Sequence, residues 1–329
     1  MPQKLRNLEL GLLILALGLS ALALALVQWG ALGKLDWSLL TYAAGLAGLT
    51  LGVHLALRLV ARDADPFIVP IATMLNGLGI TMIHRLDLAS GATGWAAAGV
   101  RQMAWTAIAL IIAIGVLLLV RNYRVLLRYR YLAMLAGVVL LTMPLWPAIG
   151  KTVNGATLWV EIGGITLQPG EIAKIAIAIF FAGYLMTARE SLQKVGRTFF
   201  SIHWPRVRDL GPLLVIWAIA MAVLVLQRDL GTSLLYFGLF LAMLYVATNR
   251  VLWLGLGGGL FGLGALIAGS QIGYVQGRVA GWLDSFSPEV YDAVGGSYQL
   301  VQGLFGFAEG GIIGRGLGQG QPSLVPLAN

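Results

Sequence analysis

The side chains able to do chemistry are few, and they collect in three stretches of an otherwise apolar chain. The first is TVNGATLWVEIGGITLQPGEIAK at 152–174, which holds Asn154, Trp159, Glu161, Gln168, Glu171 and Lys174. Glu171 and Lys174 stand at i and i+3, so on a helix their side chains share a face and can meet. Pro169 suits the first helical turn, and Glu171 would then sit beside the positive helix N-terminus. Two uses fit this pair. It can be a buried ion pair that locks one helix to its neighbours, or it can face a polar cavity and help hold an anionic head group. An ionisable residue within a membrane span marks a functional site by default. Lys174 is the more suggestive member, since a lysine one turn into a span needs a partner.

The second stretch is LQRDLGTS at 226–233, with Arg228 and Asp229 between two apolar runs. Gly231 and Thr232 can open the next helix. The stretch reads as a tight outer turn, or as a helix N-terminus whose free amides, flanked by Arg228, suit a phosphate.

The third is GRVAGWLDSFSPEVYDAVGGSYQLVQG at 277–303, which carries Arg278, Asp284, Glu289, Asp292, Tyr298, Gln299 and Gln302. A solvated loop has this polarity, yet Trp282, Phe286, Tyr291 and Tyr298 suit a membrane interface. A carboxylate in a partly dry groove beside lipid head groups can act as a general base, and sugar chemistry commonly uses one or two such groups.

The rest of the sequence must position these groups, and its composition fixes how. Hydrophobic residues make up 58% of the 329, charged residues 11%, and the mean hydropathy is +0.84. A soluble domain carries about 25% charge, so this is an all-α polytopic membrane protein. The 44 glycines suit close helix packing within a bilayer. The net charge of +8 comes from short loops between spans, which argues against a nucleic-acid partner and for topology setting. There is no cysteine, and His54, His84 and His203 lack metal-ligand spacing.

A span needs about 20 apolar residues. Nine segments qualify: 8–29, 37–60, 66–83, 102–120, 131–149, 170–188, 211–227, 231–248 and 251–270. The first is too long for a signal peptide's apolar core and reads as a retained span. With the N-terminus inside, inner segments hold 14 Lys and Arg and outer segments 7. That bias places the N-terminus in the cytoplasm and puts 150–169, 227–232 and the region after 271 outside. The 271–329 tail is too polar to span. Its Leu300, Leu304, Phe305 and Phe307 stripe suits an amphipathic segment at the outer interface. GRGLGQG at 314–320 has the wrong glycine spacing for a dinucleotide fingerprint.

Together the blocks resemble those of the SEDS (shape, elongation, division and sporulation) family, the FtsW/RodA/SpoVE type of cell-wall polymerase. The likeness runs from about Asp65 onward. NGATLWVEIGGITLQPGEIAK is similar to the family's N-G-x-x-x-W … Q-P-[SAG]-E-x-x-K block, through Asn154, Trp159, Gln168, Pro169, Glu171 and Lys174. QRDLGTS is similar to its Q-P-D-L-G-T block through Asp229, Gly231 and Thr232, with Arg228 where proline is usual. DAVGGSYQLVQGLFGFAEGGIIGRGLGQG is similar to its D-P-x-G-x-G-Y-Q loop.

The resemblance implies a peptidoglycan glycosyltransferase that polymerises lipid II outside the bacterial cytoplasmic membrane, in elongation or division. The family's loop aspartate falls on Asp292, counted back from Gln299, with Ala293 in place of proline; Asp284 is the second choice. Its implied role is to take the proton of the acceptor's GlcNAc 4-hydroxyl. Arg278, Lys174 and Arg228 are the implied holders of the pyrophosphate, with or without a divalent cation (Mg or Mn), and Glu171 and Gln299 line the substrate site. The implied partners are a class B penicillin-binding protein, the transpeptidase, and other divisome or elongasome membrane proteins.

The expected layout is a two-span N-terminal extension over 1–64, a transmembrane core over 65–270 and an outer catalytic loop with interfacial segment over 271–329. The family pattern continues beyond PSLVPLAN with three more spans. A lipid II transporter and a non-catalytic scaffold are the competing readings; the polar groups cluster at the outer mouth, which disfavours a transport path.

Overall fold

A computed structural model describes residues 2–120, 122–153, 155–193, 198–199, 202–203, 207–293 and 295–321. The chain forms two compact units, one of residues 1–121 with 298–328 and one of 122–297 with 329.

The first unit holds α1 (Pro2–Leu32), α2 (Ser38–Val60), α3 (Ile68–Ser90), α4 (Ala98–Leu119) and, from the distal sequence, the helix Tyr298–Gly310. Within it, α1 packs along α3, and α2 touches α3 and α4. Leu24, Tyr42, Leu46 and Ile80 make the core. Small residues allow the close approach, since a Cβ on Gly77 would fall 2.1 Å from the Ser20 hydroxyl. Asp87 is buried and accepts from the Ala98 and Gly99 amides at 2.8 and 2.7 Å, capping α4 from the last turn of the preceding α3.

The glycine-rich tail also belongs to this unit. Arg85 donates to the carbonyls of Gly318 and Gly320 at 3.0 and 2.6 Å. Gly318, at φ +85°, lies so close to α1 that a Cβ would meet the Val27 carbonyl at 2.5 Å. GRGLGQG is thus a close-packing loop at the end of α1.

The second unit holds α5 (Val125–Arg128), α6 (Arg130–Thr142), a small sheet, α7 (Pro169–Gln193), α8 (Val207–Leu226), α9 (Leu230–Thr248), α10 (Leu252–Gln271), α11 (Gly273–Leu283) and α12 (Pro288–Tyr291); Tyr298–Gly310 is therefore α13. Its core runs through α6, α7, α8 and α9, with Ile177, Phe180, Phe181, Ala220 and Phe240 buried. Phe181 and Trp217 both pack on the Phe240 ring, with centroids 5.6 and 5.7 Å away.

Every one of the nine expected spans coincides with a helix. Among the described residues, six helices are long and apolar enough to cross a membrane. The third, fifth and seventh segments fall short for different reasons. α3 carries Asn76, His84, Arg85 and Asp87; α6 has 13 residues and ends in a 3-10 turn at Met143–Leu145; the described apolar part of α8 is short. Leu59, Leu119 and Val246 are 76%, 86% and 77% exposed, as lipid-facing side chains must be.

The 150–169 segment, expected as an outer loop, folds into three antiparallel strands: β1 (Gly150–Val153), β2 (Ala156–Ile162) and β3 (Ile165–Leu167). Gly163 and Gly164 both have positive φ, +60° and +80°, as a two-residue hairpin turn requires. A further pair, β4 (Thr198–Phe199) with β5 (Ile202–His203), lies between α7 and α8.

Candidate functional site

The site is built on the N-terminal ends of α7 and α9. The chain leaves β3 at Leu167, and α7 begins at Pro169, with Glu171 in its first turn as expected. The Glu171 amide donates to the Gln168 carbonyl at 3.2 Å, which closes that turn. Lys174 donates to the Glu171 carboxylate at 2.8 Å. The pair therefore forms, but not as a buried lock: Glu171 is 59% and Lys174 25% exposed within its own side chain. An exposed pair contributes about 0–1 kcal/mol, so holding the fold together does not explain these residues.

α9 is the second wall. Asp229 is its N-cap, and its carboxylate accepts the Thr232 amide at 2.9 Å, while its carbonyl accepts the Ser233 amide at 3.1 Å. For an anion at this helix end, that cap is a competitor. A carboxylate already sits where the incoming anion would go, and it takes an amide the anion would need. Gly231 and Thr232 serve as the first turn of α9.

One turn further, the Tyr236 hydroxyl donates to the Gly170 carbonyl at 3.1 Å. Tyr236 is itself 1% exposed, so this bond lies against the packed interior of the unit. Gln227 is buried and ties the same corner to α6 and to the sheet. Its Nε2 donates to the Leu141 carbonyl at 2.6 Å, and its carbonyl accepts the Thr157 amide at 3.1 Å. Trp159 is half-buried on β2, opposite Lys151. Asn154 lies outside the described residues.

Arg228 takes φ +60°, a left-handed conformation that proline, fixed near −65°, does not reach. The turn thus differs from the one a Q-P-D block would make. Its exposed guanidinium lies over the Tyr274 ring, 6.0 Å from the centroid. That contact joins the α8–α9 corner to α11. The Tyr274 hydroxyl is buried and has no hydrogen-bond partner among the described residues. Burial raises its pKa above the usual phenol value, and Asp229 adds to the rise while Arg228 opposes it.

Arg278 is exposed on α11, and Asp284 is the C-cap residue of that helix. The segment that follows is closed at its base. Ser297 is buried, its Oγ donates to the Ser285 carbonyl at 2.6 Å, and its amide donates to the Val290 carbonyl at 3.1 Å. Gly296 makes that closure possible, since a Cβ there would lie 2.0 Å from the Val290 carbonyl. Asp292 stands on the closed loop, at the end of α12, exposed. No hydrogen bond or ion pair among the described residues uses its carboxylate. A base held on an anchored loop with a free carboxylate is available to a substrate hydroxyl.

The structure therefore brings Glu171, Lys174, Asp229 and Arg228 to one corner and carries Arg278, Asp284 and Asp292 on the segments that follow in the same unit. Gln299 lies on α13 in the first unit. Tyr236, Tyr274, Gln227 and Ser297 belong to the site's framework and were not singled out by sequence. Among the described residues no group of three or more His, Asp or Glu is clustered so as to hold a metal ion.

Residues 67–329 match the family model described as cell cycle protein, FtsW/RodA/SpoVE. The chain is 42% identical over 329 residues to the peptidoglycan glycosyltransferase RodA of Mycobacterium tuberculosis (strain ATCC 25618 / H37Rv), covering 98% of this chain and 69% of that protein. It is 39% identical to the RodA of Mycobacterium leprae (strain TN), again over 98% of this chain and 69% of that one. A chain from a solved peptidoglycan synthase complex is similar at 23% identity and TM-score 0.44, over 84% of this chain and 66% of that one.

Proposed function

Because the chain belongs to the FtsW/RodA/SpoVE family of cell cycle proteins, we propose that it is a multi-pass membrane peptidoglycan glycosyltransferase that polymerises lipid II. The observation that carries this reading is the 42% identity across 98% of the chain to a protein bearing that activity in its name. The geometry supports it. Asp292 is an exposed carboxylate on a loop closed by Ser297, and Lys174 and Arg228 stand at an exposed helix-end corner in the same unit.

In this reading Asp292 removes the proton of the acceptor's GlcNAc 4-hydroxyl. The freed oxygen attacks the anomeric carbon of the lipid-linked donor sugar, a glycosidic C–O bond forms, and the bond from that carbon to the pyrophosphate oxygen breaks. Undecaprenyl pyrophosphate leaves with the electron pair. Lys174, Arg228 and Arg278 hold its charge while it develops, a form of electrostatic stabilisation that commonly supplies the largest share of catalysis. No step is routed through a metal. A class B penicillin-binding protein, the family's transpeptidase, is the proposed partner, and lipid II the substrate.

The test is polymerisation of labelled lipid II by the purified chain with that partner, beside Asp292→Ala and Asp284→Ala. Glycan from the wild type and from Asp284→Ala, but not from a folded Asp292→Ala, supports both the activity and the base. Polymer from Asp292→Ala overturns the residue assignment. Partner binding with no glycan under any condition favours the scaffold reading instead.

A further inference from the structure

The first unit contains a cluster of charge of its own. A cavity of about 340 Å³ is lined by Gln3, Arg6, Asn7, Arg58 and Arg62, at the start of α1 and the end of α2. Three of its five lining residues are arginines, and none is acidic. Such a concentration of like charge needs a reason, because neighbouring guanidinium groups repel one another.

Arg6 is the key member. It is 2% exposed and runs beneath the cavity, where Glu9 and the Ala64 carbonyl each receive one of its terminal nitrogens. Glu9 is itself fully buried and also meets His54 Nδ1. Both partners hold the guanidinium in one orientation, yet its Nε is buried without a hydrogen-bond partner among the described residues. A buried donor left unsatisfied costs about 1–3 kcal/mol. Glu9 offsets the charge of Arg6 but not that of Arg58 and Arg62. Arg58 is oriented by the Asn7 amide oxygen, and Arg62 Nε donates to the Arg58 carbonyl at 3.2 Å.

We propose that this cavity binds the phosphate of an anionic lipid headgroup. Guanidinium groups match phosphate geometry, and the volume lies within the usual range for a small-ligand pocket, roughly 300–1,000 Å³. Lipid is favoured over a soluble anion by the surroundings. The cavity sits at the ends of two membrane helices, and Leu8, Leu59 and Val60 are exposed nearby on the same helices, 47%, 76% and 40%. The positive-inside bias puts this end in the inner leaflet, where anionic lipids attract basic clusters.

The experiment is native mass spectrometry of the full chain in neutral detergent, with dioleoylphosphatidylglycerol or dioleoylphosphatidylcholine. Retention of one phosphatidylglycerol in preference to phosphatidylcholine is expected. Each arginine lost should weaken it about fivefold, so R58Q/R62Q should bind about 25-fold more weakly, and R58K/R62K should recover much of the binding. If the double variant folds poorly, R62Q alone serves, since Arg62 is exposed; a fivefold loss at unchanged melting temperature is then expected. Equal retention by wild type and R62Q overturns the site. Melting protection by inorganic phosphate, lost in R62Q and without preference for phosphatidylglycerol, overturns the lipid and assigns the cavity to a soluble phosphate.

Discussion

The hydroxyl of Tyr236 donates to the carbonyl of Gly170 at 3.1 Å, so the second turn of α9 is pinned to the first turn of α7. Glu171 follows Gly170 directly, and Asp229 caps the helix that carries Tyr236. One part-buried hydrogen bond thereby sets the spacing between the two blocks that the resemblance singled out. Removing the hydroxyl in Tyr236→Phe should cost about 1 kcal/mol of stability. Melting of the detergent-purified protein would read this, and lipid II polymerisation should fall further than the stability loss explains. Unchanged polymerisation in Tyr236→Phe would show that the spacing does not matter to activity.

Asp229 offers a sharper contrast, because capping and binding make opposite demands. As an N-cap it needs an acceptor for the Thr232 amide, which Asn or Ser also supplies. Asp229→Ala should cost about 1 kcal/mol, and Asp229→Ser only a few tenths. If Asp229→Ser is as inactive as Asp229→Ala while its melting temperature is near wild type, the carboxylate charge itself serves the reaction.

The Asp292 loop depends on close contact at its base. A methyl group at Gly296 would meet the Val290 carbonyl at 2.0 Å, and Ser297 supplies the hydrogen bond to Ser285. Gly296→Ala should therefore open the loop, and Ser297→Ala should weaken its closure by about 1 kcal/mol. Both should lower polymerisation at least tenfold if Asp292 must be placed to within a fraction of an ångström. Hydrogen exchange of 285–297 is the accompanying readout, and faster exchange confined to that segment is expected.

Arg228 is strained where a glycine would not be. Its φ of +60° is costly for a side chain bearing a Cβ, by about 1–3 kcal/mol. Arg228→Gly should raise the melting temperature while weakening pyrophosphate retention. Arg228→Pro, the residue expected from the family pattern, should destabilise, because proline cannot take that φ. A stable Arg228→Pro would show that the turn has a second conformation.

Much of this was legible in the sequence, and the reason is the span of the interactions involved. Membrane helices announce themselves by run length, and Pro169, Glu171 and Lys174 announce a helix start because their relations are local. Asp229 was visible as a residue before an apolar run, yet its side chain's target, three residues on, decides between cap and anion site only in three dimensions. Tyr236 and Gly170 are 66 residues apart and Gln227 and Leu141 are 86 apart; no periodicity links such pairs. Arg85 reads in the sequence as a topology charge, and its bonds to Gly318 and Gly320 span 233 and 235 residues. The sheet over 150–167 was missed because its strands are short and polar on one side.

Tyr274 provides a test by pH. Burial and Asp229 raise its pKa above the phenol's usual 10, and Arg228 works against them. The folded state therefore holds this proton more tightly than the unfolded chain does. Its contribution to stability is complete below the unfolded value and is lost as pH rises through the folded one. Phenolate absorbance compared between wild type and Tyr274→Phe should show one tyrosine ionising later than a free phenol. Arg228→Gln, which removes the opposing cation, should delay that ionisation further. An unchanged ionisation in Arg228→Gln would mean that the guanidinium does not face the ring in solution, and would remove Arg228 from the link between the α8–α9 corner and α11.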